Sequence, residues 1–182
     1  MKFDAVYFKD KLGREVVLRS AEESDAAALI DYLKITTTET PYLIREPDEV
    51  TLTLEQEIGF INSKNDAEGE LLLVAVIEGK LVGNCSLMKI SPQKRLKHRC
   101  GVAIALYKDY CGCGIGKAML QTLLDVAKTV GYEQVELEVV SDNESAIALY
   151  KNLGFEKYGT LPNNMKYSDG RYADADWMMK KL

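Results

Sequence analysis

Histidine is nearly missing from this chain of 182 residues, which carries only His98. A histidine-rich metal site is thereby excluded. Cysteine is scarce too: Cys85, Cys100, Cys111 and Cys113 are the only four, too few for a disulfide scaffold. Cys111-x-Cys113 is also tighter than the usual C-x2-C zinc knuckle, so no metal is expected. No apolar run approaches the ~18 residues that read as a membrane span. The opening Met1-Lys2-Phe3-Asp4 bears charge at once, with no apolar stretch of a secretory leader behind it. Positive charge is in deficit, 23 Lys+Arg against 28 Asp+Glu for a net −5. A general grip on nucleic acid needs clustered cations and is not expected. There is no internal repeat and no low-complexity linker. What is present, 47% hydrophobic residues, supports an ordinary core. The reading is one cytoplasmic, reduced domain over 1–182, with its core from about residue 16.

The apolar period switches between about 2 and about 3.6, the mark of a mixed α/β chain. Val16-Val17-Leu18-Arg19 reads as a strand, Ser20 to Asp25 as helix-start chemistry, and Ala26 to Leu33 as an amphipathic helix. Lys34 to Thr51, with its threonine run and Pro41 and Pro47, reads as an ordered loop, and Leu54 to Ile61 resumes helical spacing. Leu71 to Ile77 is a continuous apolar run, as in a strand covered on both faces. Glu78-Gly79-Lys80 turns it into a second strand, Leu81 to Ile90. The basic run Lys94 to Arg99 reads as a wet connection to the strand Cys100 to Leu106. A helix from Gly114 to about Val130 follows, its apolar face Ile115, Met119, Leu120, Leu123, Leu124, Ala127 and Val130. Gln134 to Val140 alternates as a strand. Ser141-x-x-Glu144 reads as a capping box for a helix Ser145 to Leu153, closed by Gly154 and Phe155 in a Schellman ending. Two final strands join around Ser168-Asp169-Gly170-Arg171.

The glycine turn between the strand ending at Leu106 and the following helix is the most informative stretch. Cys111-Gly112-Cys113-Gly114-Ile115-Gly116-Lys117 places free N–H donors at a helix N-terminus, a setting that binds phosphate. A Walker A loop fails, because position 111 is Cys and Ala118 follows Lys117; the Rossmann G-x-G-x-x-G fails at Lys117. A tight turn holding no ligand reads the glycines equally well. What does fit is x-x-G-x-G joined to the downstream block Asn143 to Phe155, N-x-x-A-x-x-L-Y-x-x-x-G-F.

With both blocks in that order, the chain resembles the GNAT superfamily of acyl-CoA-dependent N-acetyltransferases over nearly its whole length, from about Val16 onward. The resemblance implies an α/β fold (α+β in some schemes). Its mixed central sheet would have about six to seven strands, splayed between the fourth and fifth, with about four flanking helices. It implies acetyl-CoA as cosubstrate, its pyrophosphate held by backbone amides of Gly112, Cys113, Gly114, Ile115, Gly116 and Lys117. The pantetheine arm would pair with backbone near Ile104 and Leu106, and Asn143 would contact the cofactor. Tyr150 would serve as general acid to the departing CoA thiolate. Read without the resemblance, Asn143 is a helix cap and Tyr150 a packing tyrosine. Two departures stand out. Cys111 occupies a position where the family prefers Gln or Arg, and a thiol at a helix start is open to a lowered pKa. Gly101 lies on the strand where relatives often carry the Glu that acts as general base, so the base is not evident.

The expected reaction is direct attack of a primary amine on acetyl-CoA, with an acyl-enzyme through Cys111 or Cys113 the lesser route. The acceptor would be read by Lys34–Thr51, with Thr36 to Thr40, Tyr42 and Arg45, and by the terminal hairpin. The hairpin offers Asn163, Asn164, Tyr167, Asp169, Tyr172, Asp174 and Asp176. Acidic and aromatic groups there suit a cationic amine, although a solvated hairpin reads the same residues. A small amine or polyamine is the first expectation. A protein N-terminus or lysine is the second, and a non-catalytic acyl-CoA-binding module the third. A homodimer is compatible with the resemblance, and nothing in the sequence fixes it.

Overall fold

The computed structural model describes residues 1–182. Eight strands form one sheet: β1 (Val6–Lys9), β2 (Glu15–Ser20), β3 (Leu71–Ile77), β4 (Lys80–Lys89), β5 (Arg99–Leu106), β6 (Gln134–Val140), β7 (Glu156–Lys166) and β8 (Tyr172–Lys181). Four α-helices accompany them: α1 (Ala26–Glu39), α2 (Leu54–Asp66), α3 (Ile115–Val130) and α4 (Glu144–Asn152). The spatial order is β1-β2-β3-β4-β5-β6-β8-β7. Every neighbouring pair is antiparallel except β5 and β6. The sheet thus has one strand more than the upper end of the expected range. The addition is β1, whose largely exposed side chains carry no alternating pattern. No helix is long and apolar enough to cross a membrane.

Strand β3 shows why its apolar run is unbroken. Leu71, Leu73 and Ala75 join the larger core with α3 and α4, while Leu72 and Val74 join the smaller core with α1 and α2. Helix α3 buries Ile115, Met119, Leu120, Leu123, Leu124 and Ala127 as its spacing predicts, but Val130 at its end is 39% exposed.

Helix α1 corrects the sequence reading, for it runs on through Thr36, Thr37 and Thr38 to Glu39. Threonine is a weak helix former because its hydroxyl competes for backbone groups. Here the three hydroxyls are absorbed inside the helix, donating to the carbonyls of Tyr32, Leu33 and Lys34 at 2.8, 2.8 and 2.9 Å. The helix stops at Thr40, extended as a residue before proline must be. Only Pro47–Glu49 in the following segment makes a helical turn. Helix α2 continues past Ile61 to Asp66 and starts on a Thr53–Gln56 capping box.

Helix α4 is capped by Asn143, not Ser141: Asn143 Oδ1 accepts the N–H of Ala146 at 3.2 Å. The Ser141 hydroxyl instead donates to Asp176 Oδ1 on β8 at 2.8 Å, because Ser141 still belongs to the exit from β6. The other end is the expected Schellman motif. Phe155 N–H meets Tyr150 O at 3.0 Å and Gly154 N–H meets Lys151 O at 2.9 Å. Gly154 sits at φ +85°, and a Cβ there would stand 2.8 Å from Lys180 Nζ.

The Gly154→Ala variant is therefore expected to lose about 1–2 kcal/mol of stability, read as a lower urea midpoint at unchanged slope. A second expectation concerns acid. Two N–H···O bonds from Arg99, outweighing burial, hold Glu136 below the usual carboxylate range. Burial would raise Asp176, but Lys157, Ser141 and Thr160 more than offset it and hold this group low as well. Their stabilisation is complete above about pH 5 and is lost as pH falls through the lowered folded values. Urea midpoints measured from pH 7 down to about pH 3 should fall less steeply in Glu136→Gln than in the parent.

Candidate active site

The sheet splits at its one parallel junction. Strands β5 and β6 pair at Arg99↔Gln134, Cys100↔Val135 and Gly101↔Glu136, and go no further. The Arg99 guanidinium grips both oxygens of Glu136 at this vertex, with Nη2 to Oε2 at 2.6 Å. Beyond it the strands diverge. Tyr107 N–H bonds to Val82 O on β4 at 3.0 Å, and backbone direction alternates along a strand. The backbone groups of Val102, Ile104 and Leu106 accordingly point away from β4, into the gap that β6 has left.

The chain leaves β5 through a 3-10 turn, Lys108–Tyr110, into the glycine loop. Gly112 and Gly114 sit at φ +75° and +89°, conformations that side chains with a Cβ resist. The first bond of α3 is Ala118 N–H to Gly114 O at 3.2 Å. The N–H groups of Ile115, Gly116 and Lys117 precede it, with no helical carbonyl to meet. Gly116 is buried where three elements converge, its Cβ position 3.4–3.7 Å from Leu106, Leu149 and Ile104. The structure thus brings Ile104, Leu106 and Gly112 to Lys117 together, with α4 alongside. A backbone cradle at a helix start, beside a slot of open strand groups, fits a chain of phosphates followed by an extended amide arm.

Cys111 is exposed and its thiol is pushed up rather than down, by partial burial, by the Glu39 carboxylate and by Cys113. This corrects the lowered thiol pKa considered from sequence. All four cysteines are free.

Tyr150 is 8% exposed and lies in the same buried cluster as Val102, Val135, Leu137 and Val139 of the two diverging strands. Its ring meets Phe155 edge-on, centroids 6.0 Å apart. Burial pushes its hydroxyl up to about 12, so it stays protonated through neutral pH. Asn143 does the work of a cap, its Oδ1 also accepting from Ser145 Oγ at 3.2 Å.

On the other face the two segments expected to read an acceptor do meet, across a cleft of about 630 Å³ lined by Thr37–Pro41, Leu43–Pro47, Glu49, Asn164–Asp169 and Arg171. The stretch after α1 straddles the mouth of the split. Lys108 N–H, at the exit of β5, donates to Glu39 Oε2 at 2.8 Å. Tyr42 OH reaches Asp142 O, beyond β6, at 3.5 Å, and Tyr167 OH of the hairpin donates to Pro41 O at 3.1 Å. Among the hairpin candidates, Asn164, Tyr167 and Asp169 line the cleft; Asn163, Tyr172, Asp174 and Asp176 do not. Asp174 accepts the N–H of Asn163, and Asp176 takes Ser141, Thr160 and Lys157. The cleft is mixed in charge: Glu39, Glu46, Glu49 and Asp169 against Arg45, Lys166 and Arg171.

Sequence reasoning missed Glu138. Val135, Leu137 and Val139 of β6 face the α3/α4 core, so Glu138 points to the cleft side. Its Oε2 accepts from Trp177 Nε1 at 3.0 Å and its Oε1 from Asn164 Nδ2 at 2.7 Å. Asn164 itself lines the cleft. The signal lies in the β6 alternation, which sets Glu138 on the face opposite Val135, Leu137 and Val139.

Comparison with known proteins now places the chain. The family model described as Acetyltransferase (GNAT) family matches residues 29–155. An N-alpha-acetyltransferase of Sulfurisphaera tokodaii is 32% identical over 90% of this chain and 92% of its own length. An L-amino acid N-acetyltransferase of Escherichia coli is 30% identical over 63% and 70%. The match to an uncharacterized Mycobacterium leprae protein, 42% identical over 43% of this chain, spans only 20% of that longer protein. A GNAT-family acetyltransferase structure from Streptococcus pneumoniae superposes with a TM-score of 0.87, at 27% identity over 92% of this chain and 99% of that one. The chain belongs to the GNAT family of acetyl-CoA-dependent N-acetyltransferases.

Proposed function

We propose that the protein moves the acetyl group of acetyl-CoA to a primary amine by direct attack. In this reading the glycine loop binds the pyrophosphate, Glu138 receives the amine's proton and Tyr150 donates one to the CoA thiolate. The observation that carries the reading is the split itself. A phosphate-type cradle opens on one side of the diverging strands, and on the other opens a cleft whose Asn164 bonds the Glu138 carboxylate.

An alkyl ammonium of pKa ~10.4 must shed its proton before attack, at ~4.6 kcal/mol for neutral pH. Glu138 sits where a carboxylate, directly or through water, offsets that cost. Its hydrogen bonds to Trp177 and Asn164 fix both oxygens, so it meets the amine pre-aligned. Tyr150 is protonated and dry, the state needed to give a proton to a leaving thiolate. Acetyl-CoA, when bound, supplies the thioester carbonyl. Gly112 to Lys117 hold its phosphates, while Ile104 and Leu106 offer the strand edge for its amide arm. The raised thiol of Cys111 weighs against an acyl-enzyme route, since the thiolate is the nucleophile.

The acceptor is a small molecule or a chain terminus bearing an amine near a carboxyl or peptide group. Arg45 and Lys166 beside the acidic residues of the cleft suit that pairing better than a polyamine, which would seek anions alone. The relatives from Sulfurisphaera and Escherichia, an N-alpha-acetyltransferase and an L-amino acid N-acetyltransferase, point the same way.

Release of CoA should accompany a free amino acid or a short peptide with an unblocked N-terminus, and spermidine should be the poorer acceptor at equal concentration. Binding of acetyl-CoA without turnover on any of them would leave only a binding module. Glu138→Gln is expected to lower kcat/KM by about 10²–10⁴-fold near neutrality, with less loss as pH rises and the amine deprotonates unaided. A rate and pH profile equal to the parent's would remove Glu138 from the mechanism. Tyr150→Phe, which keeps the packing against Phe155, should lower kcat by about 10²-fold or more at nearly unchanged KM for acetyl-CoA.

A further inference from the structure

The turn between β1 and β2 is fastened to the glycine loop. Asp10, its side chain fully buried, makes the turn rigid by accepting from Leu12 N–H at 2.9 Å, Arg14 N–H at 3.0 Å and Arg14 Nε at 2.8 Å. From that base Lys11 reaches the loop twice. Its N–H donates to Cys113 O at 2.9 Å and its Nζ to Gly112 O at 3.2 Å. Its stem covers Gly114, Cγ lying 3.5 Å from the position a Cβ would take. Beside it the Arg14 guanidinium lies 4.9 Å and Lys80 Nζ 5.6 Å from the ring centre of Tyr110, the residue that leads into the loop.

The peptide plane makes these contacts consequential. In a trans peptide the C=O of one residue and the N–H of the next point in opposite directions. With the carbonyls of Gly112 and Cys113 held by Lys11, the N–H groups of Cys113 and Gly114 are turned away from the β1–β2 turn. They then join the free N–H groups of Ile115, Gly116 and Lys117 as a set of donors. The Lys11 ammonium is exposed and has three donors, of which the loop carbonyl takes one. It brings positive charge to a loop whose position 111 offers only a thiol.

We propose that Lys11 is a positioning residue for the cofactor's phosphates, clamping the glycine loop in its anion-binding form and adding a cation beside it. The proposal rests on the acetyl-CoA reading above. Its test is calorimetric binding of CoA to the full chain, with steady-state kinetics alongside. Lys11→Met keeps the apolar stem over Gly114 and removes the charge and its hydrogen bond. It should raise the Kd for CoA and the KM for acetyl-CoA about tenfold, leaving kcat and the acceptor KM within about twofold. Lys11→Arg should recover most of the loss. The gap between Lys11→Met and the parent should narrow as salt rises from about 0.05 M to about 0.5 M, as a charge effect does and a packing defect does not. A parent that binds CoA and a Lys11→Met variant that binds it within about twofold as tightly would overturn the role of Lys11 alone. A parent that binds no CoA would overturn the cofactor reading and this one with it.

Discussion

The end of the β5–β6 ladder is the constraint on which the rest of the structure depends. Three paired positions hold the two strands, and the forked Arg99–Glu136 ion pair closes the last of them. Removing one partner of such a pair strands the other charge in a partly buried place, which costs more than the pair itself contributes. The pair therefore acts as a pin that ties β5 to β6 at the last paired positions. Gly101 is the last paired residue of β5, opposite Glu136. A Cβ there would make ordinary contacts, 3.4 Å from Ile90 Cδ1 and 3.8 Å from Glu136 O. The position that reads in sequence as a lost carboxylate is thus the last rung before the split.

From that vertex the functional groups sort by face. Ile104, Leu106 and Gly116 meet Leu149 on the α3/α4 side, where the larger core lies. Glu138 and the cleft lie on the other side, bridged by Glu39, Tyr42 and Tyr167. A split sheet is what lets one groove reach both faces. An unbroken sheet would bury the same strand edges in hydrogen bonds and wall the two sides apart.

Legibility followed burial. Strands β3 and β6 matched their apolar patterns end to end because both faces of one, and one face of the other, are packed. The Gly154–Phe155 ending was readable because a left-handed position strongly favours glycine. Strand β1 was not readable, since an exposed edge strand has no face to pattern. The end of α1 was missed because threonine hydroxyls that compete with a helix in solution are satisfied within this one. The cap of α4 was assigned to Ser141 because a capping box is a spacing rule. Bonding of the Ser141 hydroxyl to Asp176 on β8 leaves the cap to Asn143. The place of Glu138 beside Trp177 and Asn164 depends on which strands are neighbours, and that is a property of topology rather than spacing.

The same topology sets the two groups of the proposed transfer in unlike surroundings. Tyr150 belongs to the α3/α4 core, where burial penalises the phenolate and keeps the proton on oxygen far above neutral pH. Glu138 stands on the opposite face, exposed, with two donors bonded to its oxygens. Burial without charge partners favours a neutral phenol. The two side chains thus stand on the two sides of the gap beyond the Arg99–Glu136 pair, the phenol dry among apolar neighbours and the carboxylate anchored by Trp177 and Asn164.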